Sequence, residues 1–247
     1  MIQLLGLGLA CLTPAAGAPP ADPLRIAVAA SFAEAAEALG AAYRAATGRE
    51  VVVVSAATGL LYAQIAHGAP FDILLAADTT RPAALEQSGR AVAGSRRPYA
   101  VGRLALWSAS MTVQDSSPLF DPSVGRIAIA KPETAPYGAA AHQVLERIGA
   151  PKALATRAVR GENVSQTYQV VRSRGVALGF VTRAAVRQEP AGSQWLVPAH
   201  LHDPLVHEAV LLRHAERDAD ARAFLDFLRS DAARAVIRAQ GYDVPAP

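Results

Sequence analysis

Cysteine is almost absent from the 247-residue sequence, which contains only Cys11. This residue lies in a short apolar run, residues 4–12, that is followed by the small residues Ala16, Gly17 and Ala18. An apolar run of this length before an A-x-A pattern is typical of a secretory signal peptide. We therefore expect residues 1–18 to be removed on export, which leaves a mature chain without disulfides or thiol chemistry.

Basic residues are missing before this apolar run, although signal peptides usually begin with a positively charged segment. Cys11 offers an alternative as a lipoprotein attachment site, but Gly8 stands where leucine is usual, so lipid anchoring is the less favoured interpretation. No later apolar stretch reaches about 18 residues, the length that a transmembrane helix needs. The mature chain is therefore expected to be soluble.

Clusters of basic residues are also lacking. The formal charge is +3 and the pI about 9.3, but Arg96 and Arg97 are the only adjacent basic pair. No basic stripe alternates with aromatic residues, as a nucleic-acid surface would require. With 51% hydrophobic and 18% charged residues, the chain is typical of a globular protein that does not bind nucleic acid.

Short buried-type strands alternate with helical patterns in the first part of the chain. Apolar runs without strict alternation predict parallel strands at 24–30, 51–55 and 73–77. Helix formers occupy 31–46 and 58–67 between them, and Pro82 suits the first turn of a third helix. This order indicates an α/β lobe with a doubly wound sheet.

A second series follows, with no separating linker and no internal repeat. Its elements are predicted as strands 104–108, 127–130 and 177–181 and helices 138–148 and 164–173, before a last strand 207–212 and a helical region 219–240. Since nothing divides the chain into two independent halves, we expect two lobes that exchange strands. The first would comprise 24–102 plus 206–247, and the second 103–205.

Four segments place a small or hydroxyl residue between a strand or loop and a helix. They are Ala30-Ser31, Ala57-Thr58-Gly59, Pro136-Tyr137-Gly138 and Glu162-Asn163-Val164-Ser165. The N–H groups of a first helical turn have no intrahelical partners and carry the positive end of the helix dipole. If these helix starts face one crevice, they form an anion site that needs no lysine or arginine.

Plain helix capping explains the same residues. Ser31 and Glu34 fit an S-x-x-E capping box, and both Thr58 and Asn163 are acceptable N-caps. Gly138 could merely relieve crowding after Pro136. Spacing alone does not show that the four segments converge, so both interpretations stay open at this point.

The chain resembles the periplasmic molybdate-binding proteins of ABC transporters. The resemblance runs from Leu24 almost to the C-terminus, and its motifs occur in the order that the family has. The matching stretches are AVAASFAEA (Ala27–Ala35), AATGLLYAQIAHGAPFDILLAAD (Ala56–Asp78), KPETAPYG (Lys131–Gly138), GENVSQ (Gly161–Gln166) and GFVT (Gly179–Thr182).

This resemblance implies a two-lobed, type II periplasmic-binding fold, in which each lobe is a mostly parallel mixed sheet flanked by helices. It implies that the ligand is molybdate or tungstate, that no cofactor is used, and that a monomer delivers the ligand to an inner-membrane permease. Ser31 and Thr58 would donate hydroxyl and backbone hydrogen bonds to the oxyanion, and Tyr137 and Val164 would donate backbone N–H groups. The metal would be bound only as its oxyanion, with no direct cation ligands.

Two positions depart from the family pattern. The family commonly has a segment like G/A-S-S-G where this chain has Ala57-Thr58-Gly59, so Thr58 keeps a hydroxyl and adds a methyl group. In some members a tyrosine hydroxyl reaches the ligand from the position of Thr182, which here either contacts the anion or lines the wall. Both differences bear on which oxyanion is preferred.

Three other functions are weighed against molybdate binding. An enzyme would use Ser31 as nucleophile, but the sequence has no G-x-S-x-G motif and no histidine with an assignable role as base. A zinc site would use His200, His202 and His207 near Asp203. A binding protein for sulfate, phosphate or a small organic anion keeps the architecture and is the most serious alternative.

Overall fold

The computed structural model describes residues 22–245. The predicted signal peptide, with Cys11, lies outside these residues. Within them the chain forms two five-stranded sheets surrounded by helices. The strands are β1 (Leu24–Ala29), β2 (Val51–Ala56), β3 (Ile73–Ala76), β4 (Arg97–Gly102), β5 (Leu104–Ser108), β6 (Ile127–Ala130), β7 (Val159–Gly161), β8 (Leu178–Thr182), β9 (Ser193–Leu196) and β10 (Leu205–Leu211).

The helices follow the strands in the alternation that the sequence predicts. They are α1 (Ala33–Thr47), α2 (Thr58–Ala66), α3 (Thr80–Gln87), α4 (Pro136–Arg147), α5 (Lys152–Thr156), α6 (Val164–Arg172), α7 (Arg183–Val186), α8 (Ala219–Phe227) and α9 (Asp231–Ala239). Among residues 22–245, no helix has both the length and the hydropathy needed to cross a bilayer.

The two sheets share one design. The first has the order β2-β1-β3-β10-β4 and the second the order β7-β6-β8-β5-β9. In each, three parallel neighbours are followed by one reversed strand, β10 or β5, and then by a strand that pairs antiparallel with it. The expectation of mostly parallel mixed sheets flanked by helices is therefore confirmed.

The first sheet is covered on both faces, which explains why β1 reads as a continuous apolar run. Ile26 and Val28 point into a cluster with α1 and the C-terminal helices, whereas Ala27 points into a cluster with α2 and α3. Both clusters are built from aliphatic and aromatic side chains. The strand is thus held between two apolar layers, and its carboxyl end emerges at a fixed position between the two sheets.

Several boundaries differ from the prediction. The first predicted helix begins with a separate 3₁₀ turn, Ala30–Phe32, before α1, and the predicted C-terminal helical region is two helices. Ser230 is the N-cap of the second of these, and its hydroxyl oxygen accepts a hydrogen bond from the amide of Ala233. Strands β4, β7 and β9 were not predicted. Of these, β7 has three residues and β9 lies at a sheet edge with alternating exposure, so neither leaves a strong apolar signal.

Candidate oxyanion-binding site

The four helix starts singled out in the sequence meet around one small cavity between the two sheets. Its walls include Ser31, Thr58, Tyr137 and Val164. The first two follow β1 and β2 of the first sheet. The last two lie in the first turns of α4 and α6, which pack on the second sheet. Because the carboxyl ends of parallel strands meet at one edge of each sheet, the residues after them are brought face to face.

Ser31 is not the cap of a capping box, so that interpretation is wrong. It lies inside the 3₁₀ turn, and neither this turn nor α1 has a side-chain cap. Glu34 instead accepts a hydrogen bond from Arg187 at 3.0 Å. The hydroxyl oxygen of Ser31 is buried, and no group within residues 22–245 forms a hydrogen bond with it. A buried hydroxyl without a partner is energetically unfavourable, so its position needs an explanation other than capping.

Thr58 is fully buried and is the first residue of α2, while Ala57 holds the N-cap position. The interpretation of Thr58 as N-cap is therefore also wrong. Its hydroxyl oxygen accepts a hydrogen bond from the amide of Ala77 at 3.3 Å. That bond fixes the side chain and leaves the hydroxyl proton available to a second acceptor in the cavity.

Tyr137 and Val164 bring backbone N–H groups from first helical turns, where no intrahelical carbonyl is available. Asn163 caps α6 by accepting from the amide of Gln166 at 3.0 Å, so its predicted capping role is confirmed. Gly138 lets α4 begin against the end of β6, because a Cβ there would overlap the carbonyl oxygen of Ala130. Both helix starts are therefore fixed in place.

Thr182 lies outside this group of four. It is the N-cap of α7, and its hydroxyl oxygen accepts from the amide of Ala185 at 3.0 Å. The residue lines a neighbouring cavity, whose walls also include Ser31 and Val164. The structure thus brings four of the five predicted site residues to one cavity and places Thr182 beside it.

Among the described residues that line the cavity, none has a charged side chain. Charged residues close in sequence to the cavity walls are paired with one another: Lys131 contacts Glu162, and Arg160 contacts Glu133 at 3.2 Å. These pairs match the prediction that such residues are rim charges or structural pairs. An anion entering the cavity would meet hydroxyl and amide dipoles and no cation.

Several hydrogen bonds cross between the two halves around the cavity. The Ser165 hydroxyl donates to the carbonyl of Ala30 at 2.9 Å, and the Gly59 amide donates to the carbonyl of Thr134 at 2.9 Å. A Cβ at Gly59 would lie 2.9 Å from the Cα of Thr134, so the approach is close enough to require glycine. Sequence reasoning missed these contacts, and the glycine was their only signal.

His207 was grouped with His200 and His202 as a candidate zinc site, and the structure contradicts this grouping. His207 is fully buried on β10, whereas the other two lie at a 3₁₀ turn, Ala199–Leu201, and just after it. Within residues 22–245, no cluster of three or more potential ligands could hold a metal ion. Burial lowers the pKa of His207 to about 3, so the imidazole is neutral.

The chemistry of an enzyme is not assembled around Ser31. A serine nucleophile needs a base within hydrogen-bond reach, and in the described part of the chain the Ser31 hydroxyl has no such partner. Its carbonyl oxygen is engaged instead, because it accepts a hydrogen bond from the Tyr242 hydroxyl. The arrangement is suited to binding an anion with fixed neutral donors.

The chain is similar in sequence and in fold to known solute-binding proteins. A family model described as bacterial extracellular solute-binding protein matches residues 24–243. The molybdate-binding protein ModA of Rhodobacter capsulatus is 41% identical over 217 residues, covering 87% of this chain and 86% of that protein. The corresponding protein of Azotobacter vinelandii is 39% identical over 248 positions, covering 98% and 96%. The solved structure of the Azotobacter vinelandii periplasmic molybdate-binding protein has a TM-score of 0.86 and 35% identity, and covers 90% of this chain and 100% of that one.

The neutral state of His207 predicts a specific pH dependence of stability. The pKa of His207 is about 3 in the folded protein, whereas the ordinary value of 6.5 applies to the unfolded chain. Between about pH 3 and pH 6.5, only the unfolded chain therefore binds a proton at His207. The contribution of His207 to the free energy of unfolding should therefore fall by about 1.4 kcal/mol for each pH unit of acidification well below 6.5. Urea unfolding at about pH 7 and about pH 4.5 measures this fall in the free energy of unfolding. The fall should be smaller in His207→Phe than in the wild type.

His142→Phe is the matched control, because it replaces a histidine whose side chain is 45% exposed. This variant should keep the wild-type decline. If His207→Phe declined as steeply as the wild type, a neutral buried imidazole would be excluded.

Proposed function

The chain belongs to the bacterial extracellular solute-binding protein family, and we propose that it captures molybdate and delivers it to an ABC transporter. The observation that carries the proposal is a cavity with neutral donors at its walls, in a chain 41% identical to a molybdate-binding protein. Tungstate has the same shape and charge and is included in the proposal. The chain is not an enzyme but the binding component of a transport system.

We propose that Ser31 and Thr58 bind the oxyanion through hydroxyl and amide groups, and Tyr137 and Val164 through amides alone. Burying a dianion is unfavourable unless its oxygens receive hydrogen bonds. Neutral donors supply these while avoiding a buried ion pair, whose desolvation can outweigh its attraction. Hydrogen bonds to charged groups contribute about 1.5–3 kcal/mol each, so a handful supports sub-micromolar binding after association costs of several kcal/mol.

Cavity size and donor geometry would set the selectivity. Sulfate and phosphate are smaller than molybdate, so a cavity fitted to molybdate leaves their oxygens too far from some donors. Protonated phosphate also brings a proton into a site that lacks acceptors, which leaves a donor unpaired. Thr58 bears on this choice, because its methyl group narrows the cavity while its hydroxyl is kept. Thr182, beside the cavity, is proposed to line the wall.

Ligand-driven closure is the proposed signal to the permease. We take 24–102 plus 206–247 as one lobe and 103–205 as the other, joined where β4 passes into β5 and where the chain enters β10. Ser31 and Thr58 would then bind from the first lobe, and Tyr137 and Val164 from the second. An anion bridging both sides stabilises the closed arrangement through contacts that an open one lacks. A monomer suffices for this mechanism.

The proposed location is the periplasm, with residues 1–18 acting as the export signal. Solute-binding proteins of this family are extracellular by description. The apolar run before Ala18 supports export, and lipid anchoring through Cys11 remains the less favoured alternative.

Calorimetric titration of the desalted mature protein with four anions tests the function. Molybdate and tungstate should bind with sub-micromolar dissociation constants, and sulfate and phosphate at least about tenfold more weakly. The experiment separates the proposal from the alternative of a general sulfate- or phosphate-binding protein. Sulfate binding as tight as that of molybdate would falsify the assignment.

Ser31→Ala should separate binding from stability. Because the Ser31 hydroxyl is buried without a partner among the described residues, its removal should leave the ligand-free protein equally stable or slightly more stable. Molybdate affinity should fall about tenfold, as one charged hydrogen bond is lost. Thermal unfolding without ligand and calorimetry with molybdate measure the two effects.

Ser230→Ala is the matched serine control, since this hydroxyl caps α9. Its loss should lower stability by about 1 kcal/mol and leave molybdate affinity unchanged. An unstable Ser31→Ala protein with normal affinity would mean that Ser31 has a structural role instead.

Gly138→Ala should weaken binding by moving the start of α4. A Cβ at this position overlaps backbone atoms of Ala130, so the first turn and the Tyr137 amide must shift. Affinity should fall by about tenfold or more. Gly40→Ala, also within a helix, places its Cβ at 3.4 Å from Val51 and should bind normally. Equal affinities of the two variants would show that the position of this turn does not matter.

A further inference from the structure

His207 lies beneath the cavity, where residues from both sheets meet. Its ring is fully buried and is surrounded by three tyrosines and a phenylalanine, with ring centroids 5.4–6.1 Å away. Two of these tyrosines place hydroxyl groups at its nitrogens. The Tyr99 oxygen is 3.4 Å from Nδ1, and the Tyr137 oxygen is 3.4 Å from Nε2.

The direction of these hydrogen bonds follows from the number of protons. Tyr99 donates its single hydroxyl proton to the carbonyl oxygen of Ala76 at 3.3 Å. Towards His207 it can therefore only accept, so Nδ1 must carry the ring proton. A neutral imidazole has one N–H group, which leaves Nε2 as an acceptor for the Tyr137 hydroxyl. The low pKa of about 3 agrees with this neutral form.

This chain of bonds connects the two sides of the anion cavity. It begins at Ala76, next to Ala77, whose amide holds the Thr58 hydroxyl. It ends at Tyr137 in the first turn of α4, on the second sheet. The Tyr137 side chain is 2% exposed, so the phenol is enclosed at its hydroxyl end as well as along its ring.

The space around this contact is tightly limited. Gly102, the last residue of β4, lies directly against the Tyr137 hydroxyl, and a Cβ there would overlap it. The same Cβ would be 3.1 Å from Nε2 of His207. The phenol therefore has one position in this arrangement, and His207 supplies the polar partner there.

We infer that His207 is a positioning residue for the oxyanion site, acting by accepting the Tyr137 hydroxyl and so fixing the first turn of α4. The inference rests on the proposed function, because the Tyr137 amide is one of the proposed donors. A fixed donor loses little entropy when the anion binds, which raises affinity. His207 itself does not touch the ligand.

Molybdate titration of four variants of the full mature chain tests this role. Tyr137→Phe removes only the hydroxyl. His207→Phe keeps a ring but removes both the acceptor for Tyr137 and the Nδ1 donor to Tyr99. Each should weaken molybdate binding by about three- to tenfold, the effect of one buried hydrogen bond. The double variant should be no weaker than either single one, because both remove the same contact. His207→Gln retains a polar acceptor in place of the ring and should recover at least part of the loss.

Tyr43→Phe is the matched control. The Tyr43 hydroxyl donates to the carbonyl of Asp220 at 3.2 Å in the core of the first sheet, away from the cavity. Its removal should lower thermal stability about as much as Tyr137→Phe does, while molybdate affinity stays unchanged. This comparison distinguishes positioning from a general loss of stability.

Two results would overturn the inference: wild-type affinity in Tyr137→Phe, or additive losses in the double variant. If His207→Phe failed to fold, Tyr137→Phe alone would decide, because wild-type affinity in that variant overturns the inference. Failure of the proposed function looks different, because the wild type would then bind sulfate or phosphate as tightly as molybdate. The same variants would in that case be titrated with the anion that binds.

Discussion

Enclosing a doubly charged anion without a cation is the constraint on which the proposed site depends. The hydrogen-bond donors must be fixed in place before the anion arrives, because donors that reorganise would lose the free energy that binding gains. Four chain segments meet this requirement in one way: each places a first helical turn, or a turn just before a helix, at the end of a strand. Two sheets are needed to surround the anion, because the edge of a single sheet supplies hydrogen-bond donors to only one side of it.

The surroundings of the cavity keep it neutral. Charged residues close in sequence to its walls are paired, as Lys131 is with Glu162, and the His207 imidazole carries no proton beyond the one on Nδ1. A protonated His207 would be a cation enclosed by three tyrosines, whose own pKa values burial raises. In the proposed anion site and in the layer under it, polarity therefore comes from oriented dipoles and not from net charge.

The sequence predicted the strands that are apolar and buried on both faces, since β1, β3, β5 and β6 leave an unmistakable pattern. It could not predict β7 or β9, which are short and lie at sheet edges. Local patterns suggested capping roles for Ser31 and Thr58 because a hydroxyl near a helix start suits a cap as well as a ligand. Only the structure distinguishes a cap from a ligand-binding residue, because the Ser31 side chain forms no capping hydrogen bond and the Asn163 side chain forms one. His207 was misplaced for a similar reason, as its partners Tyr99 and Tyr137 lie 108 and 70 residues away.

The position of β10 determines the order in which the two sheets can form during synthesis. This strand lies between β3 and β4 in the first sheet, yet it is separated from them along the chain by the whole of the second sheet. During synthesis, the half that carries Ser31 and Thr58 leaves the ribosome first but has a gap in its sheet until residues 205–211 follow. The half that is made second can pair all of its strands earlier. The cavity between the two sheets is therefore completed only when nearly the entire chain is present.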